Sequence, residues 1–252
     1  MKEKLYTIPL NDAVNANDEC PFCYVERELE HDQLDFVLGA CASYMEADVR
    51  EMTDNEGFCR RHFKDMFNYG NNLGNAWILK THYMKLRNDF AKETRNYKPQ
   101  KISISNKLLK KSTCNPISDW LKKREESCYI CKRNKEIFDR YIDTFFILYK
   151  QDPAFRDKIS GGKGFCLTHF NVLLENAELK MNDVEREEFF NMLFKLMDTN
   201  LERMQEDINW LVEKYDYENA NADWRTSKDA SQRGMQKLKG GYPEEPPYKM
   251  KK

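Results

Sequence analysis

The sequence predicts an all-α fold: two tandem helical repeats, a long C-terminal helix and a flexible tail. Three observations predict it. Charged residues make up 33% of the chain, while 252 residues include only 10 Gly and 8 Pro, a balance that suits helices better than a many-turned sheet. Apolar residues recur in steps of three and four over several stretches. A Cys/His pattern appears twice. Cys20-Pro21-Phe22-Cys23 is followed by Gly57-Phe58-Cys59-Arg60-Arg61-His62-Phe63, and Cys128-Tyr129-Ile130-Cys131 by Gly164-Phe165-Cys166-Leu167-Thr168-His169-Phe170.

In chain order, Pro9-Leu10-Asn11-Asp12-Ala13-Val14 signals a short helix, echoed by Pro116-Ile117-Ser118-Asp119-Trp120-Leu121 before the second Cys pair. Pro21 suits the first turn of a helix, and apolar positions run from Val25 to Met45 with a break expected at Gly39. Residues 46–57 are polar and turn-rich. They are expected to carry the chain back to the first Cys pair as a largely extended return, which a twelve-residue stretch of about 40 Å allows. A helix carrying Cys59 and His62 follows. A third starts after Asn71-Asn72, with Leu79, Tyr83, Leu86 and Phe90 in helical register.

Residues 96–115 read as a basic linker with Lys98, Lys101, Lys107, Lys110 and Lys111. This separates a first repeat (1–95) from a second (116–216), offset by about 107 residues. Phe190, Phe194, Met197, Leu201, Met204, Ile208, Leu211 and Tyr215 then form a heptad-like stripe. Packing across the other helices is favoured over a dimer seam, because Phe189, Leu193, Leu196 and Val212 flank the stripe. Residues 217–252 read as the flexible tail, with Gly240-Gly241 and three late prolines.

Each motif copy offers three thiols and one imidazole in two pairs, each pair three residues apart and so on one face of a helical turn. The expected ligands are Cys20, Cys23, Cys59 and His62 in the first repeat, and Cys128, Cys131, Cys166 and His169 in the second. Zinc, two per chain, is the expected ion. Four protein ligands leave no open position for water, so a structural role is expected. An iron–sulfur cluster is the alternative. Cys-Pro-Phe-Cys also has the form of a thioredoxin-type motif, but the strand context such a motif needs is missing.

The remaining chemistry is sparse. Arg50 and Arg156 lie shortly before the two Gly-Phe-Cys elements. Each is a candidate for an anion-binding residue, or else for a salt bridge or a bond to exposed carbonyls near the turn. His31 and His82 read as surface or packing residues, Cys41 as core and Cys114 as an exposed linker thiol. A net charge of −1 excludes a wholesale nucleic-acid binder, leaving the lysine run extended by Lys122-Lys123-Arg124 as the one place for such contact. No run of about 18 apolar residues and no leader-like N-terminus are found, so a cytoplasmic protein with reduced thiols and no membrane contact is expected.

The two Cys-x-x-Cys pairs, Asp48-Val49-Arg50, the two Gly-Phe-Cys-x-x-His-Phe elements and the opening Met-Lys-Glu-Lys-Leu-Tyr-Thr-Ile-Pro together resemble a bacterial family of unknown function. The resemblance covers most of the chain up to about residue 215 and implies two metal-binding repeats without a substrate. The expected function is a zinc-binding protein that engages a protein partner. The competing expectation is a metal- or thiol-dependent enzyme or redox sensor acting between the repeats.

Overall fold

The computed structural model describes residues 4–99, 115–241 and 248. Eleven α-helices and no strand occur among them: α1 (Lys4–Asn15), α2 (Pro21–Leu38), α3 (Ala47–Glu56), α4 (Arg60–Tyr69), α5 (Asn72–Arg95), α6 (Pro116–Glu126), α7 (Tyr129–Gln151), α8 (Pro153–Ser160), α9 (Leu167–Lys180), α10 (Asp183–Glu213) and α11 (Ala230–Lys239). None is long and apolar enough to cross a membrane. Lys101 to Lys111, Cys114 and the late prolines lie outside the described residues.

Local chemistry sets most boundaries. Pro21, Pro116 and Pro153 each open a helix, where a missing N–H costs nothing. Asn115 and Asp152 cap α6 and α8 with side-chain oxygens. Asn182 and Glu185 form a reciprocal capping box on α10. Helix α2 stops at Leu38, just before Gly39, as expected.

The chain divides into two compact units that do not follow the 1–95/116–216 split. One comprises residues 1–29 with 137–252, the other residues 30–136. The division falls inside α2 and α7. The first unit centres on Phe22, Phe145, Phe155, Phe165, Leu173, Phe189 and Leu193, all nearly inaccessible. Most of its rings meet edge-on or tilted, for instance Phe22 to Phe165 at 5.5 Å and Tyr149 to Phe189 at 4.9 Å between centroids, while Phe145 and Tyr149 stack. The second unit packs Val37, Leu38, Phe58, Met66, Ile78, Tyr129 and Ile130 together.

Four expectations need correction. Residues 47–56 form helix α3 rather than an extended return. The stretch read as tail is folded through α11, with Ala230, Gly234, Gln236 and Lys237 buried. On α10 the buried face runs through Phe189, Leu193, Leu196, Met197, Asn200 and Met204, while Phe194, Leu201, Ile208 and Tyr215 of the heptad-like stripe are exposed. The packing face is therefore shared between Met197 and Met204 of the stripe and Phe189, Leu193 and Leu196 beside it, while Val212 is exposed. Cys41 falls beyond the end of α2 and is exposed instead of core. On α5 likewise, Gly74 and Ile78 are buried, whereas Leu79, Tyr83 and Phe90 are exposed.

Candidate metal centres

Both Gly-Phe-Cys elements are knuckles ahead of a helix. Gly57 and Gly164 take left-handed φ of 64° and 75°, a backbone that a side chain would strain. The following Phe58 and Phe165 turn into the two cores. Cys59 and Cys166 then stand at the N-caps of α4 and α9, and His62 and His169 fall in the first turn. There the free N–H groups favour thiolates, and the His169 N–H points at Cys166 Sγ at 3.4 Å. The Cys-x-x-Cys pairs occupy the starts of α2 and α7.

The structure brings all eight expected ligands into two groups, but not in the expected pairing. Cys20 and Cys23 meet Cys166 and His169, while Cys128 and Cys131 meet Cys59 and His62. Each Cys pair thus joins the distant knuckle instead of the one that follows it. The physical reason is α3, which takes up the residues that were to lead back toward Cys20. Residues 57–59 run instead alongside the start of α7, where the Tyr129 N–H donates to Gly57 O at 2.9 Å. Site A (Cys20, Cys23, Cys166, His169) lies wholly in the first unit and site B (Cys59, His62, Cys128, Cys131) wholly in the second.

The donor spacing can be tested against one tetrahedral ion. Zinc bonds of about 2.3 Å to sulfur and about 2.05 Å to nitrogen imply S···S edges of about 3.8 Å and S···N edges of about 3.5 Å. In site A, Cys23 and Cys166 are 3.7 Å apart, and His169 Nδ1 lies 3.3, 3.6 and 3.2 Å from Cys20, Cys23 and Cys166. In site B, Cys59 and Cys131 are 3.9 Å apart, and His62 Nδ1 lies 3.3, 3.1 and 3.5 Å from Cys59, Cys128 and Cys131. Every ligand atom in a group is within 4.8 Å of the others. A cluster of several irons spreads its ligands over different metal atoms, so this tight set fits one ion better.

Both imidazoles are oriented from behind. His62 Nε2 meets Glu30 Oε2 at 2.7 Å and His169 Nε2 meets Glu26 Oε1 at 3.2 Å. A carboxylate on the far nitrogen leaves Nδ1 to face the sulfurs, the arrangement of a carboxylate–histidine–metal site. Arg61 pairs with Glu30 and lies 3.2 Å from His62 Nε2.

The crowding of the sulfurs shifts the titration of the groups around them. Burial opposes a charged imidazole, but Cys128 and Glu30 outweigh it and push His62 up to about 10. Cys166, Cys20 and Glu26 likewise overcome burial and push His169 up to about 12. Burial opposes ionisation of Cys128 too, yet His62 brings it down to about 6. Burial and the neighbouring Cys128 and Cys59 push Cys131 up to about 12. Contact with Cys166 and Cys20, and then burial, raise Cys23 far above the usual thiol range, while Cys166 is held far below it by Cys20 and Cys23. Three sulfurs in contact resist ionising together, and a dication at their centre would remove that resistance.

The two sites differ in their surroundings. Site A is sealed. Cys20, Cys23 and Cys166 are 0% exposed and His169 is 2% exposed. The C-terminal end of α11 closes over it, since a β-carbon added to Gly240 would lie 3.2 Å from Cys166 Sγ and 3.7 Å from Cys23 Sγ. Lys237 is buried behind the site. Its ammonium donates to Glu19 O at 2.7 Å and to Lys163 O at 2.6 Å, and it lies 3.2 Å from Glu19 Oε2. One side chain thus ties together the residues leading into Cys20 and into the second knuckle. Glu19 also pairs with Arg203 at 2.5 Å and Arg233 at 3.2 Å. In site B, His62 and Cys128 are buried, but Cys59 is half-buried and Cys131 is exposed.

Neither candidate arginine joins a donor group. Arg156 Nε and Nη2 donate to the carbonyls of Tyr149 and Lys150 at 3.1 and 3.3 Å, and the guanidinium lies over the Tyr149 ring. It caps the end of α7, the structural alternative to anion binding. Arg50 sits on α3, where its carbonyl accepts from Thr53. His82 packs against the Gly57 turn. The residues that motif reasoning missed are Glu26, Glu30, Glu19 and Lys237. Only Glu26 and Glu30 carried a signal, as acids on the helix that Cys20-Pro21 opens.

Fold and donor geometry together define an all-α protein with two Cys3His groups able to hold metal. The chain belongs to the family of unknown function DUF6062, which it matches over residues 1–245. No curated protein and no solved structure matches it.

Proposed function

We propose that the chain is a zinc protein with two structural Cys3His ions, and that its job is to hold a surface for a protein partner. The observation that carries this reading is the donor spacing. In both sites one S···S pair and all three S···Nδ1 pairs stand at the edge lengths of a single tetrahedral ion, all four donors lie within 4.8 Å of one another, and four protein ligands leave no position for a reacting water. No other group of three or more such ligands occurs among the described residues. Zinc at these sites would supply folding energy rather than chemistry. The sequence motif repeats while the ligand sets cross between its copies, so an internal duplication, if it produced this chain, left each copy dependent on the other for a ligand pair.

Elemental analysis with an absorption spectrum tests the proposal. A colourless protein with two zinc ions per chain is expected. A brown protein absorbing near 400 nm, or one holding clearly fewer than two metal ions, overturns it.

A further inference from the structure

The two sites share a ligand set and differ in cover. Site A is closed on every side by protein, with Gly240 seated against two of its sulfurs. In site B the residue Cys131 is exposed, and Cys59, half-buried, has its sulfur 3.9 Å from that of Cys131. A thiolate reacts with an oxidant only where the oxidant can reach it, and exposure together with an adjacent resolving sulfur marks redox-reactive cysteines.

We propose that site B is an oxidation site that releases its ion, with Cys131 as the reacting residue, while site A is a permanent staple. The proposal rests on the reading of both sites as metal centres. The oxidant class is a peroxide. The Cys131 thiolate attacks one peroxide oxygen. An S–O bond forms, the O–O bond breaks and hydroxide leaves. Cys59 then attacks the Cys131 sulfur, forming S–S, breaking S–O and releasing a second hydroxide. Two thiolates are oxidised and hydrogen peroxide is reduced by two electrons to two hydroxides. Site B is left with His62 and Cys128, two ligands of four, which hold zinc poorly. A thiol reductant reverses the step.

Accessibility, rather than donor chemistry, decides which site reacts, because the donors are the same. Cys41 is also exposed but belongs to neither ligand group, so its oxidation releases no ion. It serves as an internal measure of how fast an uncoordinated surface thiol reacts.

The full-length zinc-loaded protein is treated with graded hydrogen peroxide in the presence of a chromogenic zinc chelator. Samples are quenched with an alkylating reagent and mapped by peptide mass spectrometry. The expected result is release of one ion per chain, a disulfide containing Cys131, and Cys20, Cys23 and Cys166 still reduced. Cys131 is expected to oxidise at least about tenfold faster than Cys23. A Cys131→Ser variant is expected to slow peroxide-driven release, and the wild-type mapping stands on its own if that variant does not fold. Two ions that leave together, or site A sulfurs that oxidise first, overturn this inference alone. Fewer than two ions in the untreated protein overturn the metal reading and this inference with it.

Discussion

Replacing Lys237 by Met is expected to destabilise the first unit and loosen site A without touching a ligand. The side chain is 1% exposed and its ammonium makes three contacts, at 2.7 Å to Glu19 O, 2.6 Å to Lys163 O and 3.2 Å to Glu19 Oε2. Hydrogen bonds from a charged donor contribute about 1.5–3 kcal/mol each. Against this, the variant no longer has to desolvate a buried ammonium, a penalty of several kcal/mol. Removing one member of a buried ion pair usually costs about 3–5 kcal/mol because its partner is stranded. Here Glu19 keeps Arg203 and Arg233, so the lower end applies, about 3 kcal/mol. Met fills a similar volume, which keeps a cavity term out of the comparison. With a urea slope of about 3 kcal/mol/M, the midpoint should fall by about 1 M. Zinc should also leave site A faster in excess chelator, because both carbonyls lie just ahead of ligand-bearing segments. An unchanged urea midpoint together with unchanged chelation kinetics would refute the claim that Lys237 ties the two segments.

Other outcomes follow from the same geometry. Glu30→Gln and Glu26→Gln should each lower zinc affinity at their own site by about 10- to 100-fold while leaving the helical circular dichroism intact, read by competition with a chelator of known affinity. Truncation after Asp216 removes α11 and should make Cys23 and Cys166 alkylate at rates approaching that of Cys131, measured by timed labelling and mass spectrometry; protection that survives truncation would show that α11 is not the cover. Burial raises Glu19, but Arg203 and Lys237 outweigh it and hold its carboxyl below the usual value of 4.5. A lowered folded value adds stability that is complete above 4.5 and is lost as pH falls toward the folded value. The stability difference between wild type and Glu19→Gln should therefore narrow on acidification below about 4.5, measured by urea titrations at fixed metal occupancy.

The helical class and the eight Cys and His residues of the two donor groups were legible in the sequence because each needs only local pattern: a 3.6-residue period, a proline at a helix start, a glycine before a Cys knuckle. The pairing of the ligands was not. Two identical donor sets satisfy the same chemistry whichever way they combine, and nearness along the chain favours the wrong choice once residues 47–56 are taken as extended. Ala47–Glu56 is polar enough to pass for a loop, yet it buries Val49 and Thr53 as a helix. The order of the last segment was hidden for a different reason. Helix α11 is buried largely through Arg233, Gln236 and Lys237, which face Asp18, Glu19 and Asp207. Such a helix has little apolar stripe to show, and two of its three partners, Asp18 and Glu19, lie some two hundred residues away along the chain. The exposure of Cys131 relative to Cys23 was equally invisible, since it depends on what folds over each site and not on the Cys-x-x-Cys pair itself.

The central claim is that each site is one four-coordinate ion held by three sulfurs and one imidazole nitrogen. X-ray absorption at the zinc edge of the purified full-length chain tests it most directly. The account predicts an average shell of three sulfurs at about 2.3 Å and one nitrogen at about 2.05 Å, with no added oxygen. A shell with oxygen in it, a sulfur count well below three, or metal–metal scattering from a cluster would contradict it.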